Sequence, residues 1–401
     1  MLKEISVKQL RKGMFLNKLC GSWIKHPFWT QTFLLEKDED ILAIVQSGIT
    51  KVIIDTAKGL DIETDKPAIL PAKSADDKKL AVERKPKKTS MANEWNKAKK
   101  ICDQAKQAVV EMFKEVRMGR AINIDDVKPI VEDISSSVIR NPNALINVAR
   151  LKTIDDYTYL HSVAVCALMT ALARKLNLDD ASVAAAAQGG LLHDLGKAAI
   201  PNEILNKEGK LTDSEFDVVK LHPKKGYDLL VGNDSITQQA LDITLHHHEK
   251  FDGSGYPEGL KGEDISLFAR MGAVCDVYDA LTSDRIYKKG WEPAVAIKRM
   301  ASWKGHFDPV ILQAFVKVLG IYPVGSLVRL ESDKLAVVIE QSEHSLLEPR
   351  VKIFFSIKSK APIRTSELDL ASKHVTDRIV GLEDPEKWHF KNLEELWMPS
   401  V

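Results

Sequence analysis

The chain has 401 residues, 44% hydrophobic and 28% charged, enough to bury a sizeable core and to divide into two or three domains. A formal net charge of +1 excludes a long nucleic-acid footprint or a membrane-surface protein held by bulk charge, so an anionic ligand must meet local charge. Four scattered cysteines, Cys20, Cys102, Cys166 and Cys275, form no Cys-x-x-Cys pair and fit reduced thiols in a cytosol. With charges already at Lys3 and Glu4 and no apolar run of roughly 18 residues, neither export nor a membrane span is expected, and the expected location is cytoplasmic.

From Ile5 to about Leu60, short apolar stretches alternate with loops, among them the aromatic segment Trp23 to Trp29. A helix around Asp40 to Ser47 is predicted before a strand at Lys51 to Asp55, so residues 1–66 read as a small α/β accessory module. Residues 67–92 read as a linker: Leu70-Pro71 and Arg84-Lys85-Pro86-Lys87-Lys88 are polar and offer little to bury, which favours a solvated spacer over a ligand site. Helical periodicity then dominates to about Gly320, as a connector over 93–145 and an all-helical domain over 146–320. Thr212-Asp213-Ser214-Glu215 has the form of a capping box, in which a threonine hydroxyl and a glutamate carboxylate each accept the other's backbone N–H at a helix start. Beyond Tyr322-Pro323 the segment Val351 to Ile357 alternates with the period of a half-buried strand, and Leu335 to Ile339 is expected to pair with it. Residues 321–401 are therefore a β-rich extension, and the fold class is mainly α.

Histidine and aspartate accumulate in the helical core where packing alone would ask for leucine. His161 continues the face of Val165, Leu168 and Leu172 at helical spacing, and Asp194, just after His193, shares a face with Val183, Ala187 and Leu191. His222 follows Val218 and Val219 and precedes Pro223, which is expected to end that helix. Ile236, Ala240 and Ile243 lead to His247; Leu241 and Leu245 lead to His248; Asp276 lies in the apolar run Ala273 to Tyr278. A lone histidine on an apolar face is more often a hydrogen-bonded core residue, and His246 is read that way. Two buried carboxylates beside several buried imidazoles are another matter, because unpaired buried charge costs several kcal/mol. Imidazole nitrogens and carboxylate oxygens suit a dinuclear iron, manganese or zinc site, an aspartate can bridge two ions, and the lack of cysteine ligands argues against structural zinc.

His193-Asp194-Leu195-Gly196-Lys197 resembles the His-Asp-x-Gly-Lys signature of HD-domain phosphohydrolases. The segment His247-His248-Glu249-Lys250-Phe251-Asp252-Gly253-Ser254-Gly255-Tyr256-Pro257 resembles the longer signature of the HD-GYP subfamily, and Asp276 to Thr282 resembles its third segment. The likeness covers about Asn147 to Gly320, and residues 1–66 resemble an accessory domain that precedes some HD-GYP domains. It implies a cyclic dinucleotide phosphodiesterase acting on cyclic di-GMP or 3′,3′-cyclic GMP-AMP, giving a linear dinucleotide and then mononucleotides. It implies two divalent ions, iron or manganese first, with zinc, nickel or magnesium as alternatives, held by His161, His193, Asp194, His222, His247, His248 and Asp276 with Asp194 as the bridge. Tyr157 stands where some members carry a metal-binding glutamate, which favours two ions over three, with Asp155 or Asp156 as imperfect substitutes.

Lys197 is implied to contact the scissile phosphate, and its place one turn beyond His193 supports this independently, since a cation there can stabilise charge growing on phosphate oxygens. Arg285 and Lys288 are implied phosphate binders; Gly253, Gly255, Tyr256 and Pro257 are implied to shape the substrate pocket, with both glycines expected in a backbone conformation closed to other residues. Glu249 and Asp252 are expected to orient ligands or loop amides. The loop Gly253 to Pro257 is no dinucleotide-binding glycine loop, because it follows a histidine-rich helix rather than a strand. Two rivals stand beside this reading: another HD-type nucleotide phosphohydrolase, which the Gly-Tyr-Pro segment disfavours, and a catalytically silent cyclic-dinucleotide sensor. Partner expectations beyond the substrate are a homodimer or contact with diguanylate cyclase domains.

Overall fold

The computed structural model describes residues 2–20, 33–35, 37, 40–41, 44, 51–60, 87–120, 127–151, 157–284, 289–342, 344–390 and 392–399. The chain divides into two compact units, Met1–Arg84 and Lys85–Val401.

In the first unit, strands β1 (Leu2–Ser6), β2 (Phe15–Cys20), β3 (Phe33–Leu34) and β4 (Lys51–Asp55) form an antiparallel sheet in the order β1-β4-β2-β3. The predicted strand at Lys51 to Asp55 is β4, and its alternate residues Val52 and Ile54 are buried with Ile5, Met14, Leu16, Leu35 and Ile44. Alternation places one face of each strand in this small core. The helix expected over Asp40 to Ser47 is described only at Asp40, Ile41 and Ile44, which are helical. The aromatic segment and most of the expected linker lie outside the described residues.

The second unit begins with α1 (Met91–Arg117), capped by the Ser90 hydroxyl, which accepts from the Asn93 N–H. Helices α2 (Val127–Arg140) and α3 (Pro142–Arg150) follow. Arg140 clamps the buried Glu94 of α1 with two bonds of 2.7 Å, and the Ser137 hydroxyl adds a third. Removing either partner would leave buried charge unpaired, so this bidentate bridge specifies how α1 meets α2. Helices α4 (Tyr157–Lys175) and α5 (Asp180–Leu192) form the centre of the domain and are apolar on nearly every side, the pattern of helices surrounded by others. The helices α6 (Asn202–Leu205), α7 (Asp213–Val219), α8 (His222–Leu230), α9 (Gln238–His246), α10 (Leu267–Thr282), α11 (Pro293–Ser302) and α12 (Pro309–Leu319) complete the helical part. The predicted capping box opens α7: the Thr212 hydroxyl accepts from the Glu215 N–H and Glu215 Oε2 accepts from the Thr212 N–H.

The C-terminal sheet has β5 (Leu327–Leu330), β6 (Lys334–Glu340), β7 (Arg350–Ser356), β8 (Ala361–Asp369) and β9 (Ile379–Leu382), all antiparallel in the order β8-β7-β6-β5-β9. The expected pairing is present, with Leu335 opposite Phe355 and Ala336 opposite Ile353. A last turn, α13 (Glu394–Trp397), returns to the helices, where Trp397 meets Trp95 edge-on at 6.1 Å and lies under the Arg150 guanidinium at 5.0 Å. No helix among the described residues is long and apolar enough to cross a membrane.

Candidate metal and substrate site

Five pieces of chain deliver the seven histidines and aspartates singled out in the sequence. His161 lies on α4; His193 caps the C-terminus of α5, and Asp194 follows it at the start of a 3-10 turn, Leu195–Ala199. His222 opens α8, His247 and His248 follow the end of α9, and Asp276 lies within α10. Pro223, expected to end a helix, instead stands in the first turn of α8, where its missing N–H has no partner to lose. The preceding helix α7 stops at Val219. Contact between the 3-10 turn and α8 requires glycine at 196, since a Cβ there would lie 2.0 Å from the His222 carbonyl oxygen and 2.4 Å from the Gly226 nitrogen. That approach brings His222 beside Asp194.

Asp194 is 1% exposed and divides its carboxylate between two groups of ligands. Its Oδ2 is 3.4 Å from both His161 Nε2 and His193 Nε2; its Oδ1 is 3.3 Å from His222 Nε2 and 3.9 Å from His247 Nε2. Asp276 Oδ1 lies 3.0 Å from His161 Nε2, and its Oδ2 is 3.7 Å from His248 Nδ1. Among the described residues, three groups have their potential ligand atoms within 4.8 Å of one another: two triads, His161 with His193 and Asp276, and His222 with His247 and His248, and a third group that joins them, His193 with Asp194 and His247.

The outer nitrogens explain what faces inward. His193 Nδ1–H donates to the Gly190 carbonyl at 2.8 Å, His222 Nδ1–H to the Val219 carbonyl at 2.8 Å, and His247 Nδ1–H to the carbonyls of Ile243 and Thr244 at 3.1 Å. His161 Nδ1–H donates to the buried Asp279 carboxylate at 2.6 Å. Carbonyl oxygens only accept, so the protons are fixed on Nδ1 and the Nε2 lone pairs are turned to the centre. There they approach one another, His161 to His193 at 3.2 Å and His222 to His247 at 3.3 Å. Asp194 Oδ1 is buried with no hydrogen-bond donor among the described residues. Facing lone pairs and an orphaned carboxylate oxygen fit divalent cations, which satisfy all of them at once.

Electrostatics agree with the carboxylates and with two of the imidazoles, whereas for His161 the bonds and charges of Asp276 and Asp279 outweigh burial and raise the pKa, favouring a proton that a bound cation would displace. Burial pushes the Asp194 carboxyl up, but Lys197 and His193 outweigh it and hold the pKa well below the usual carboxylate range. Asp276 is likewise held well down, against burial, chiefly by the approach of His161 Nε2 at 3.0 Å. Burial and neighbouring imidazoles push His247 well below its ordinary value, and burial takes His248 down to about 3, leaving both rings neutral and able to coordinate at neutral pH.

A cavity of about 400 Å³ opens over the centre, lined among others by Lys197, His248, Lys250, Tyr256, Lys289 and His306. The Lys197 ammonium is 2.6 Å from Asp194 Oδ2. Tyr256 packs on His248 with ring centroids 4.7 Å apart, and the Tyr256-Pro257 peptide is cis. Gly253 has φ +86°, as expected, but Gly255 does not share that conformation. Gly255 is needed for close approach instead, because a Cβ there would lie 2.3 Å from the Lys250 nitrogen and 2.5 Å from Glu249 Cα. Glu249 Oε1 accepts from the N–H groups of Glu258 and Gly259, and Asp252 Oδ1 from Ser254 N–H, so both carboxylates order the loop. His246 bonds Asp242 at 2.7 Å, away from the two triads. Arg285, Lys288, Asp155, Asp156 and the Tyr157 side chain lie outside the described residues.

Residues 131–311 match the HD domain family, and residues 2–127 match a domain of unknown function, DUF3391. A cyclic di-GMP phosphodiesterase of Pseudomonas aeruginosa is 53% identical over 402 residues, covering 99% of this chain and 96% of that protein. The chain belongs to the HD-GYP phosphodiesterase family. A cyclic di-GMP phosphodiesterase response regulator of Xanthomonas campestris is 45% identical over 148 residues, covering 36% of this HD-GYP phosphodiesterase and 39% of the regulator. A 3′3′-cGAMP-specific phosphodiesterase of Vibrio cholerae is 40% identical over 128 residues, 31% of this chain and 24% of that protein. In this HD-GYP chain, sequence reasoning passed over Asp279 and His306. Asp279 had a usable signal, a second aspartate one turn after Asp276 on the same apolar helix. His306 had none, since it reaches the cavity only through the fold.

Proposed function

We propose that this enzyme opens the ring of cyclic di-GMP, yielding a linear dinucleotide with a 5′ phosphate, and that two divalent ions, iron or manganese, would be held by His161, His193, Asp276, His222, His247 and His248, with Asp194 as the shared ligand between the two groups. The observation that carries the reading is the Asp194 carboxylate, one oxygen toward each triad. Such ions, when bound, polarise a phosphate and lower the pKa of water toward neutrality. The chain's own groups do the rest. Asp279 holds the His161 ring through Nδ1, and backbone carbonyls hold His193, His222 and His247. Lys197, at the cavity wall, neutralises charge that grows on the scissile phosphate oxygens as the 3′ oxygen leaves. Tyr256, packed on His248 with the rings tilted by 31°, offers a flat face to a purine or ribose, with Gly253, Gly255 and Pro257 shaping the loop behind it. Arg285 and Lys288 complete the phosphate contacts in this reading.

Residues 1–66 serve as an accessory module, 67–92 as linker, 93–145 as helical connector, 146–320 as the catalytic domain and 321–401 as its extension. The buried, unbridged thiols of Cys166 and Cys275 suit a bacterial cytoplasm. Family resemblance alone supports a homodimer or a docked diguanylate cyclase domain. The test is a product assay with metal-loaded protein, offering cyclic di-GMP and 3′,3′-cyclic GMP-AMP separately, with Asp194→Ala as control. Opening of cyclic di-GMP by wild type only is expected; faster opening of the hybrid ring would reassign the substrate, and opening of neither would leave a binding module.

A further inference from the structure

A cyclic dinucleotide carries two phosphodiesters. When one lies at the metal centre, the ring holds the other away from it, and a second negative charge has entered a half-buried cavity. Lys197 lies beside the position of the first, its ammonium paired with Asp194 at 2.6 Å. Lys250 lines the same cavity, is half-buried, and has no ion pair among the described residues. An ammonium partly removed from water and bonded to no carboxylate is open to an arriving anion.

Resting on the cyclic-dinucleotide reading above, we infer that Lys250 binds the non-scissile phosphate. The backbone beneath it is held on several sides. Phe251 N–H donates to the His306 carbonyl at 3.0 Å, Asp252 N–H to the Gly305 carbonyl at 2.8 Å, and Gly253 N–H to the Lys250 carbonyl at 2.8 Å. Gly255 packs against the Lys250 nitrogen so closely that no Cβ fits. The acids beside Lys250 in sequence are engaged by the loop: Glu249 Oε1 accepts from the N–H groups of Glu258 and Gly259, and the exposed Asp252, whose pKa is lowered first by the Ser254 bond and also by Lys250, accepts from the Ser254 N–H at 2.9 Å. The other titratable group on this wall, His306, is stacked on Trp303 at 5.3 Å, and burial with Lys250 nearby lowers its pKa, so it stays neutral. Lys289 also lines the cavity but is exposed, where water and salt screen its charge. Among the described cations of the cavity, Lys250 is thus the half-buried one that makes no ion pair, and it adds to the phosphate contacts proposed for Arg285 and Lys288.

The experiment compares two substrates that differ in phosphate number. Metal-loaded full-length wild type, Lys250→Met and Lys250→Arg are assayed on cyclic di-GMP and on bis(4-nitrophenyl) phosphate, which has one phosphodiester. A charge-assisted contact predicts that Lys250→Met raises KM for cyclic di-GMP roughly ten- to hundredfold, that Lys250→Arg restores most of it, and that the loss is confined to the two-phosphate substrate. Equal losses on both substrates, or none on either, overturn the assignment while leaving the phosphodiesterase reading intact. A wild-type protein that cleaves the nitrophenyl ester but opens no cyclic dinucleotide overturns that reading, and the assignment with it.

Discussion

Four imidazoles of this centre are fixed from behind, three by backbone carbonyls and one by a carboxylate, and the difference has consequences. A carbonyl cannot be mutated away, whereas Asp279 can. With Asp279→Ala the His161 ring loses the acceptor of its Nδ1–H at 2.6 Å, so metal affinity at that triad is expected to fall about 10–100-fold. Metal titration of the variant measures it, and an affinity equal to wild type would show that packing alone orients the ring. Asp194 itself was legible in the sequence because a charged residue stood on a face otherwise made of Val183, Ala187 and Leu191. Asp279 stands in the same run as Asp276, but spacing alone does not say which of two aspartates faces the candidate metal positions and which backs His161 through Nδ1.

At the level of elements, the glycines of the two signatures do separate jobs. Gly196→Ala would drive a Cβ into the His222 carbonyl and the start of α8, so both the melting temperature and activity are expected to fall; overpacking of this kind costs typically 1–3 kcal/mol. Gly255→Ala would push the loop off Lys250 and Glu249 instead, lowering activity with a smaller change in melting temperature, because the loop surrounds the cavity rather than the core. The capping box at α7 lies away from the chemistry, so Thr212→Ala is expected to cost about 1 kcal/mol in denaturant unfolding with turnover preserved. Helix starts, the strand at Lys51 and the pairing of β6 with β7 were readable from local pattern. The clamp between residues 251–252 and 305–306 was not, since it joins segments distant in sequence through backbone groups that carry no side-chain signature. Pro223 misled for a related reason: proline interrupts a helix or begins one, and only the chain before it decides.

In the molecule as a whole, the candidate metal centre draws on α4, α5, α8, the end of α9 and α10, so ions bound there would also cross-link the helical domain. A ligand that binds only the folded state stabilises it by mass action, and stripping metal with a chelator is therefore expected to lower the melting temperature, restored on adding manganese; an unchanged melting temperature would mean the centre forms without ions. The return of Trp397 onto Trp95 was invisible in the sequence, because a short C-terminal turn gives no sign of what it docks against. The most direct test of the central claim, that one carboxylate divides the site into two metal positions, is elemental analysis of protein reconstituted with ferrous iron or manganese. Wild type is predicted to hold two ions per chain and Asp194→Ala fewer than one, whereas a single ion in wild type, or two in the variant, would contradict it.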